Sequence, residues 1–304
     1  MANFGPKDIK KLRGMTDAGM MDCKQALAAS DGDMDKAGEW LRKKGLGAAA
    51  KKAGKVAAEG AIVMKIGEDR AVLGEINSQT DFVAQNDKFK SFTAEVVEHA
   101  YANNLKDTEA LEASQINGQP FAEYMSLQTA TIGEKLVARR FTTIEAGDTT
   151  ALNGYIHANG KVGVIVAALC DSSETAAAIT TALKEISMHA AAMSPRFLDE
   201  SEIAVEVIEK EKEIAKAQLL KEGKPEAILE KILPGKIKRF LQDNTLVDQK
   251  FVMNDKLSVA QYLSTVAKEA GGTAKLVNFV RLALGEGIEV VEEDFAAEVA
   301  AQMS

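Results

Sequence analysis

Three histidines, two cysteines and scattered acidic pairs are the side chains of this 304-residue sequence that could do chemistry. His99, His157 and His189 lie far apart, and none stands at a metal-ligand spacing from a cysteine or an aspartate. Each reads as structural rather than as a catalytic base. Cys23 and Cys170 are also far apart, which argues against a disulfide framework or a thiolate metal site and fits a reducing compartment. No G-x-x-x-x-G-K-[ST] phosphate loop is present, and G-E-G at 285–287 lacks the full dinucleotide-binding spacing. No serine sits in a nucleophile elbow, and Glu292–Glu293 reads as a solvated helix face. The residues give an enzyme no positive support, and no cofactor or metal site is expected.

What remains are surfaces. Met20 and Met21 follow Gly19 at the start of a helical pattern. Both could be core, but neighbours on a helix point about 100° apart, which leaves room for at least one to be exposed. A flexible apolar side chain on a small domain suits a partner interface. The second surface is N-S-Q-T-D-F-V-A, residues 77–84, between a strand-like run and a helical one. Phe82 there either plugs the fold or is offered outward. The neighbouring Asp81 must stay wet or paired, which tilts the reading outward.

Several elements must position these residues. Residues 1–44 read as three short helices, Pro6–Met15, Met20–Ser30 and Met34–Lys44, with Thr16 or Asp17 capping the second and Gly45 ending the third. Ile9, Leu12, Ala26, Leu27, Ala37 and Leu41 recur at helical spacing and form the inner faces. Residues 45–60, rich in lysine, alanine and glycine, read as a linker with no packing face. A strand–turn–strand–loop–helix pattern then occurs twice. It runs over Ala61–Ile76 with a helix near Asp87–Tyr101, and over Asn153–Leu169 with a helix near Glu174–Ala192. Only the first loop carries an aromatic.

Residues 198–246 read as an inserted helical hairpin, broken at Gly223–Pro225, with apolar faces from Ile203, Val207, Ile214 and Leu219 and from Ile228, Ile232 and Ile237. Pro234–Gly235 should kink or interrupt the returning helix. Phe251–Met253 and Leu276–Leu284 are strand-like, and Asp294–Met303 reads as a closing helix. The fold class is α+β, with helices packed on antiparallel sheets. Net charge is −8 and the apolar fraction 46%. That disfavours general nucleic-acid binding, and the apolar runs are too short to span a bilayer. With no apolar leader pattern at the N-terminus, a soluble cytoplasmic protein is expected.

The motifs come in an order that resembles the translation elongation factor Ts family. They are L-R-G-M-T-D-A-G-M-M-D-C-K-Q-A-L (12–27), K-K-A-G-K-V-A-A-E-G (51–60), N-S-Q-T-D-F-V-A (77–84), I-G-E (132–134), Y-I-H-A-N-G-K-V-G-V (155–164), G-E-G-I-E (285–289) and D-F-A-A-E-V-A (294–300). The resemblance implies a three-helix domain like the ubiquitin-associated fold with its linker at 1–55, and core subdomains at 56–147 and at 148–197 with 247–287. It adds an inserted coiled-coil hairpin at 198–246 and a C-terminal module at 288–304. It implies a nucleotide exchange factor for elongation factor Tu, bound in its nucleotide-free or GDP form. Leu12, Arg13, Met20 and Met21 would rest on that partner. Asp81 and Phe82 would form a wedge near its magnesium and phosphate site, Thr80 and Val83 beside them would also contact the partner, and Ile132 and His157 would touch other parts. The inserted hairpin is a candidate for self-association. Members often have Cys where Ser78 stands, Pro234–Gly235 replaces a more helical pair, and 104–131 matches poorly and is assigned no site.

Overall fold

The computed structural model describes residues 4–16 and 18–289; for Glu226 and Ala227 it describes the backbone alone. In chain order the elements begin with α1 (Pro6–Thr16), α2 (Met20–Ala29) and α3 (Met34–Lys52). Then come β1 (Glu59–Ile66), β2 (Arg70–Ser78), α4 (Asp81–Gln85), α5 (Asp87–Ala102) and α6 (Thr108–Glu112). The short pair β3 (Gln115–Ile116) and β4 (Gln119–Pro120) leads to α7 (Phe121–Ile132) and β5 (Val137–Glu145). A second hairpin, β6 (Thr150–Ile156) and β7 (Val162–Cys170), is followed by α8 (Ser173–Ala178) and α9 (Thr180–Met193). The chain continues through α10 (Val205–Lys221), α11 (Glu226–Asn244), β8 (Lys250–Phe251), β9 (Asn254–Ser258), α12 (Val259–Glu269) and β10 (Ala274–Ala283). The expected closing helix, Asp294–Met303, lies outside the described residues.

The fold is α+β. Its two larger sheets have strand orders β1-β2-β5 and β10-β7-β6. The chain divides into two compact units. One takes in residues up to Val63, Gly74–Phe141 and the segment from Ala283, and the other Met64–Leu73 and Thr142–Leu282. Strand–turn–strand followed by a short and then a longer helix occurs twice, as β1-β2-α4-α5 and β6-β7-α8-α9.

In the first unit α1, α2 and α3 close on Leu12, Cys23, Ala26, Leu27, Ala37 and Leu41. The entry to α2 differs from expectation. Its N-cap is Gly19, with no side-chain cap. The Thr16 hydroxyl instead turns back and donates to the Leu12 carbonyl at 2.8 Å; Asp17 lies outside the described residues. The stretch read as a linker is the larger correction. α3 does not end at Gly45 but runs on to Lys52, and Gly45 is buried. A Cβ at position 45 would lie 3.1 Å from Leu127 Cδ2 and 3.5 Å from the Leu127 backbone, so a missing side chain lets α3 and α7 approach closely. Two lysines, one within the stretch and one outside it, tie it down further. Lys52 Nζ donates to the Gly133 carbonyl at 2.6 Å. Lys135 Nζ donates to the carbonyls of Ala53 and Lys55 at 2.7 and 2.9 Å.

β2 is the middle strand of its sheet and is buried from Ala71 to Ser78. Glu75, on this strand, has no exposed surface. Its carboxylate accepts from Arg139 Nη1 at 3.0 and 3.2 Å, from Arg140 Nε, from Asn77 Nδ2 at 3.1 Å and from the Gly285 amide at 2.8 Å. The arginines also donate onward, Arg139 to the Glu286 carbonyl at 2.8 Å and Arg140 to the Ala283 carbonyl at 2.7 Å. A buried charge that satisfies its lone pairs this fully is tolerated.

The second unit is built on β6 and β7, antiparallel in register from Thr150↔Leu169 to Ile156↔Gly163. Val164, Val166, Leu183, Ile186, Phe251 and Leu263 lie in its core. His189 is buried there, its Nε2 at 2.9 Å from Gln249 Oε1 and its Nδ1 accepting from the Val252 amide at 3.1 Å. Burial pushes its pKa down, and the paired ring is structural. α10 and α11 form the expected hairpin and bury Ala215, Leu219 and Leu229. Ile214 and Ile228, expected on the inner faces, are exposed. Pro234 does not interrupt α11, which continues through it. A proline removes one backbone donor, and packing along the hairpin outweighs that loss.

The Glu75 network sets an acid limb for stability. Burial raises its pKa, but the Gly285 amide, Asn77 and Arg140 outweigh burial and hold it below the usual value of 4.5. A lowered folded value means the stabilisation is present above pH 4.5 and is lost as pH falls through the folded value. Glu75→Gln is expected to lose about 2 kcal/mol at pH 7, the scale of hydrogen bonds to a charged group. The gap to the parent protein should narrow as pH drops below 4.5, as read by urea unfolding across pH.

Candidate functional site

The site is assembled around α4, not around a loop. The Thr80 hydroxyl accepts from the Val83 amide at 3.3 Å and starts a single helical turn, Asp81–Gln85. This is the usual N-cap device, and it turns the expected loop into a short helix. Its counterpart after the second hairpin does the same: the Ser172 hydroxyl accepts from the Thr175 amide at 3.1 Å and starts α8. The two turns differ in what they present. α8 buries Thr175 and Ala176, whereas α4 buries nothing. Phe82 is 84% exposed, the highest value among the exposed large apolar side chains described. Asp81 is exposed beside it, and Thr80 and Val83 are half-buried.

The start of α4 is held from a distance in sequence. Glu134 Oε2 accepts from the backbone amides of Gln79 and Thr80, each at 3.0 Å, and Glu134 Oε1 accepts from Thr80 Oγ1 at 2.7 Å. The Ser78 hydroxyl donates to the Thr80 carbonyl at 3.0 Å. Glu134 reaches this place because Gly133, at φ +91°, closes α7 in the left-handed conformation and turns the chain. Ile132, the last residue of α7, is half-buried. The I-G-E segment and the T-D-F segment are thus one structural assembly. The family resemblance, through I-G-E, implied a role for Ile132 and none for Glu134. No local pattern links residues 54 positions apart; an acid one place beyond a helix-ending glycine was the only hint.

The first signature lies on the same unit. Met20 and Met21 are 59% and 63% exposed, and Arg13 is exposed. Arg13, Gly19 and Met20 line a groove of about 470 Å³ together with Asp87 and Lys88, just beyond α4, and Thr131, next to Ile132. The structure therefore brings Arg13 and Met20 to a surface shared with the start of α5 and the end of α7. Leu12 is the exception. It is 0% exposed at the centre of the helical core, so it supports the surface and offers no contact of its own. His157 belongs to the other unit. It follows β6 at the hairpin turn, exposed, with Nδ1 at 3.1 Å from the Tyr155 hydroxyl.

The remaining candidates for chemistry are accounted for elsewhere. His99 pairs with Ser114 Oγ at 2.9 Å, and burial lowers its pKa. Cys23 and Cys170 are free and buried, and burial raises both thiol pKa values. Among the described residues no helix is long and apolar enough to cross a membrane.

Fold and site together define an α+β protein that offers an aromatic and two methionines outward from short, firmly placed helices. Residues 79–286 match the family described as Elongation factor TS. Elongation factor Ts of a Sulfurovum species is 54% identical with the whole of both chains covered, and that of a Nitratiruptor species is 55% identical over 97% of each. Elongation factor Ts of Nautilia profundicola is 50% identical, again over both full chains. The chain belongs to the elongation factor Ts family.

Burial separates the members of this site by stability. Phe82→Ala should change unfolding free energy by less than about 0.5 kcal/mol, as for an exposed side chain away from any packed feature. Leu12→Ala should cost about 2–5 kcal/mol through the cavity it leaves. Chemical denaturation of the two variants beside the parent reads both.

Proposed function

We propose that this protein is a cytoplasmic guanine nucleotide exchange factor for elongation factor Tu. It acts by binding and carries no reaction of its own. The observation that carries this reading is Phe82, 84% exposed on a helical turn that buries none of its own residues. An aromatic costs free energy to leave in water, and a pre-placed one loses little entropy on docking. Asp81 and Phe82 form the wedge, with Thr80 and Val83 as its base. Arg13, Met20 and Met21 give a second contact on the same unit, and Ile132 and His157 reach other parts of the partner.

The partner's GDP and magnesium ion are held by backbone amides and a few ligands. An inserted apolar wedge stabilises the arrangement in which those groups are displaced. The factor thus binds best when the nucleotide is absent. Reciprocity then requires that nucleotide weaken the factor by the same ratio, so incoming GTP expels it. Such a device needs binding energy and geometry but no acid, base or nucleophile.

Catalytic amounts of the protein should speed release of labelled GDP from elongation factor Tu. Phe82→Ala should slow that release at least about tenfold, the scale of losing one hot-spot aromatic. Affinity for the partner should fall by about 5- to 150-fold at saturating GDP. Binding indifferent to nucleotide would instead mark a passive adaptor.

A further inference from the structure

The wedge has little packing to hold it. α4 has five residues and buries none of them, and a helix that short does not persist by itself. Its position must therefore come from its ends. At the far end the Asn86 side chain accepts from the Lys88 amide at 2.9 Å and opens α5, whose Phe89 and Phe92 are buried. At the near end the fixing group is the Glu134 carboxylate. It collects the Gln79 and Thr80 amides and the Thr80 hydroxyl, at 3.0, 3.0 and 2.7 Å. The same hydroxyl accepts from the Val83 amide at 3.3 Å. Glu134 thus orients the cap that starts the helix, and through the cap the direction in which Phe82 leaves the surface. Hydrogen bonds to an ionised acceptor are stronger than neutral ones, which suits a joint with no apolar packing.

We infer that Glu134 is the positioning residue of the wedge: its carboxylate fixes Thr80 so that Asp81 and Phe82 are already aimed before a partner arrives. The inference rests on the exchange-factor reading for its functional consequence. Its structural half concerns the free protein alone. Glu134 itself is only half-exposed, lies after the C-cap of α7 and is spent on three donors. Its part is played through Thr80, not by touching nucleotide.

The test uses the full chain with Glu134→Ala and Glu134→Gln, alone and combined with Phe82→Ala. Amide hydrogen exchange of the free protein should speed up at Gln79, Thr80 and Val83 and stay unchanged in the β6–β7 hairpin. In the GDP-release assay Glu134→Ala should lower the maximal rate on the order of tenfold, the scale of a misplaced reacting group. The half-saturating concentration should move less than about twofold, because Arg13, Met20 and Met21 are untouched. Glu134→Gln keeps one acceptor and should fall between, and it carries the test if the alanine variant does not fold. With Phe82 already removed, Glu134→Ala should add no further loss. Unchanged amide exchange overturns the inference, as does a normal maximal rate for Glu134→Ala beside a slow Phe82→Ala. A loss that adds to that of Phe82→Ala also overturns it, since Glu134 would then act elsewhere. A normal rate for Phe82→Ala overturns the exchange reading itself, whatever amide exchange shows.

Discussion

A single buried carboxylate organises the first unit. Glu75 sits on β2, the middle strand of its sheet, and gathers two arginines of β5, an asparagine of its own strand and the amide of Gly285. An unpaired charge at that depth would cost several kcal/mol, so the partners are compulsory. They tie β5 and the segment after β10 to one point on β2. Two residues further along that strand is Asn77, and the next turns lead straight into Gln79 and Thr80. Charge pairing thus anchors β2 shortly before the strand ends at Ser78, and α4 begins just beyond it.

A second carboxylate completes the placement. Glu134 meets the chain as it leaves β2, and its own location depends on α7. That helix is held against α3 by the close approach at Gly45 and by Lys52 on the Gly133 carbonyl. A path of direct contacts thus runs from the helical N-terminal region, through the end of α7, to the cap of α4. The path has a simple use. An exposed phenylalanine can be aimed only if the backbone beneath it is rigid, and a turn without a buried face borrows rigidity from hydrogen bonds.

Much of this was legible in the sequence. The starts of α1, α2, α3 and α5 and both hairpins follow from caps, turns and alternation, which are local, whereas the two signatures stand out only through the family resemblance. The Thr80 cap that makes α4 a helix was a local signal passed over, and most of what else was misread is nonlocal. Gly45 reads as a stop because glycine disfavours helix, yet here it permits contact with Leu127, far along the chain. Pro234 reads as a break, yet packing between α10 and α11 carries the helix through. Leu12 was read both as core and as contact, and burial decides for core. Glu75 and Glu134 look like ordinary acids in a chain that has many. Their importance lies in partners that no spacing rule can supply.

The two hairpins share a plan and differ in what their closing turns present. Both end on a hydroxyl-capped helical turn, at Thr80 and at Ser172. After β7 that turn buries Thr175 and Ala176 and becomes part of the second unit's packing. After β2 the turn gives up burial, gains a carboxylate clamp at its start and carries Phe82 outward. Exchanging apolar packing for charge-assisted bonds frees the face of the turn while leaving its direction fixed. A packed turn would have to hide its aromatic, and an unclamped one would have to order it on binding, at a cost in affinity. The clamped turn avoids both, as the proposed wedge would require.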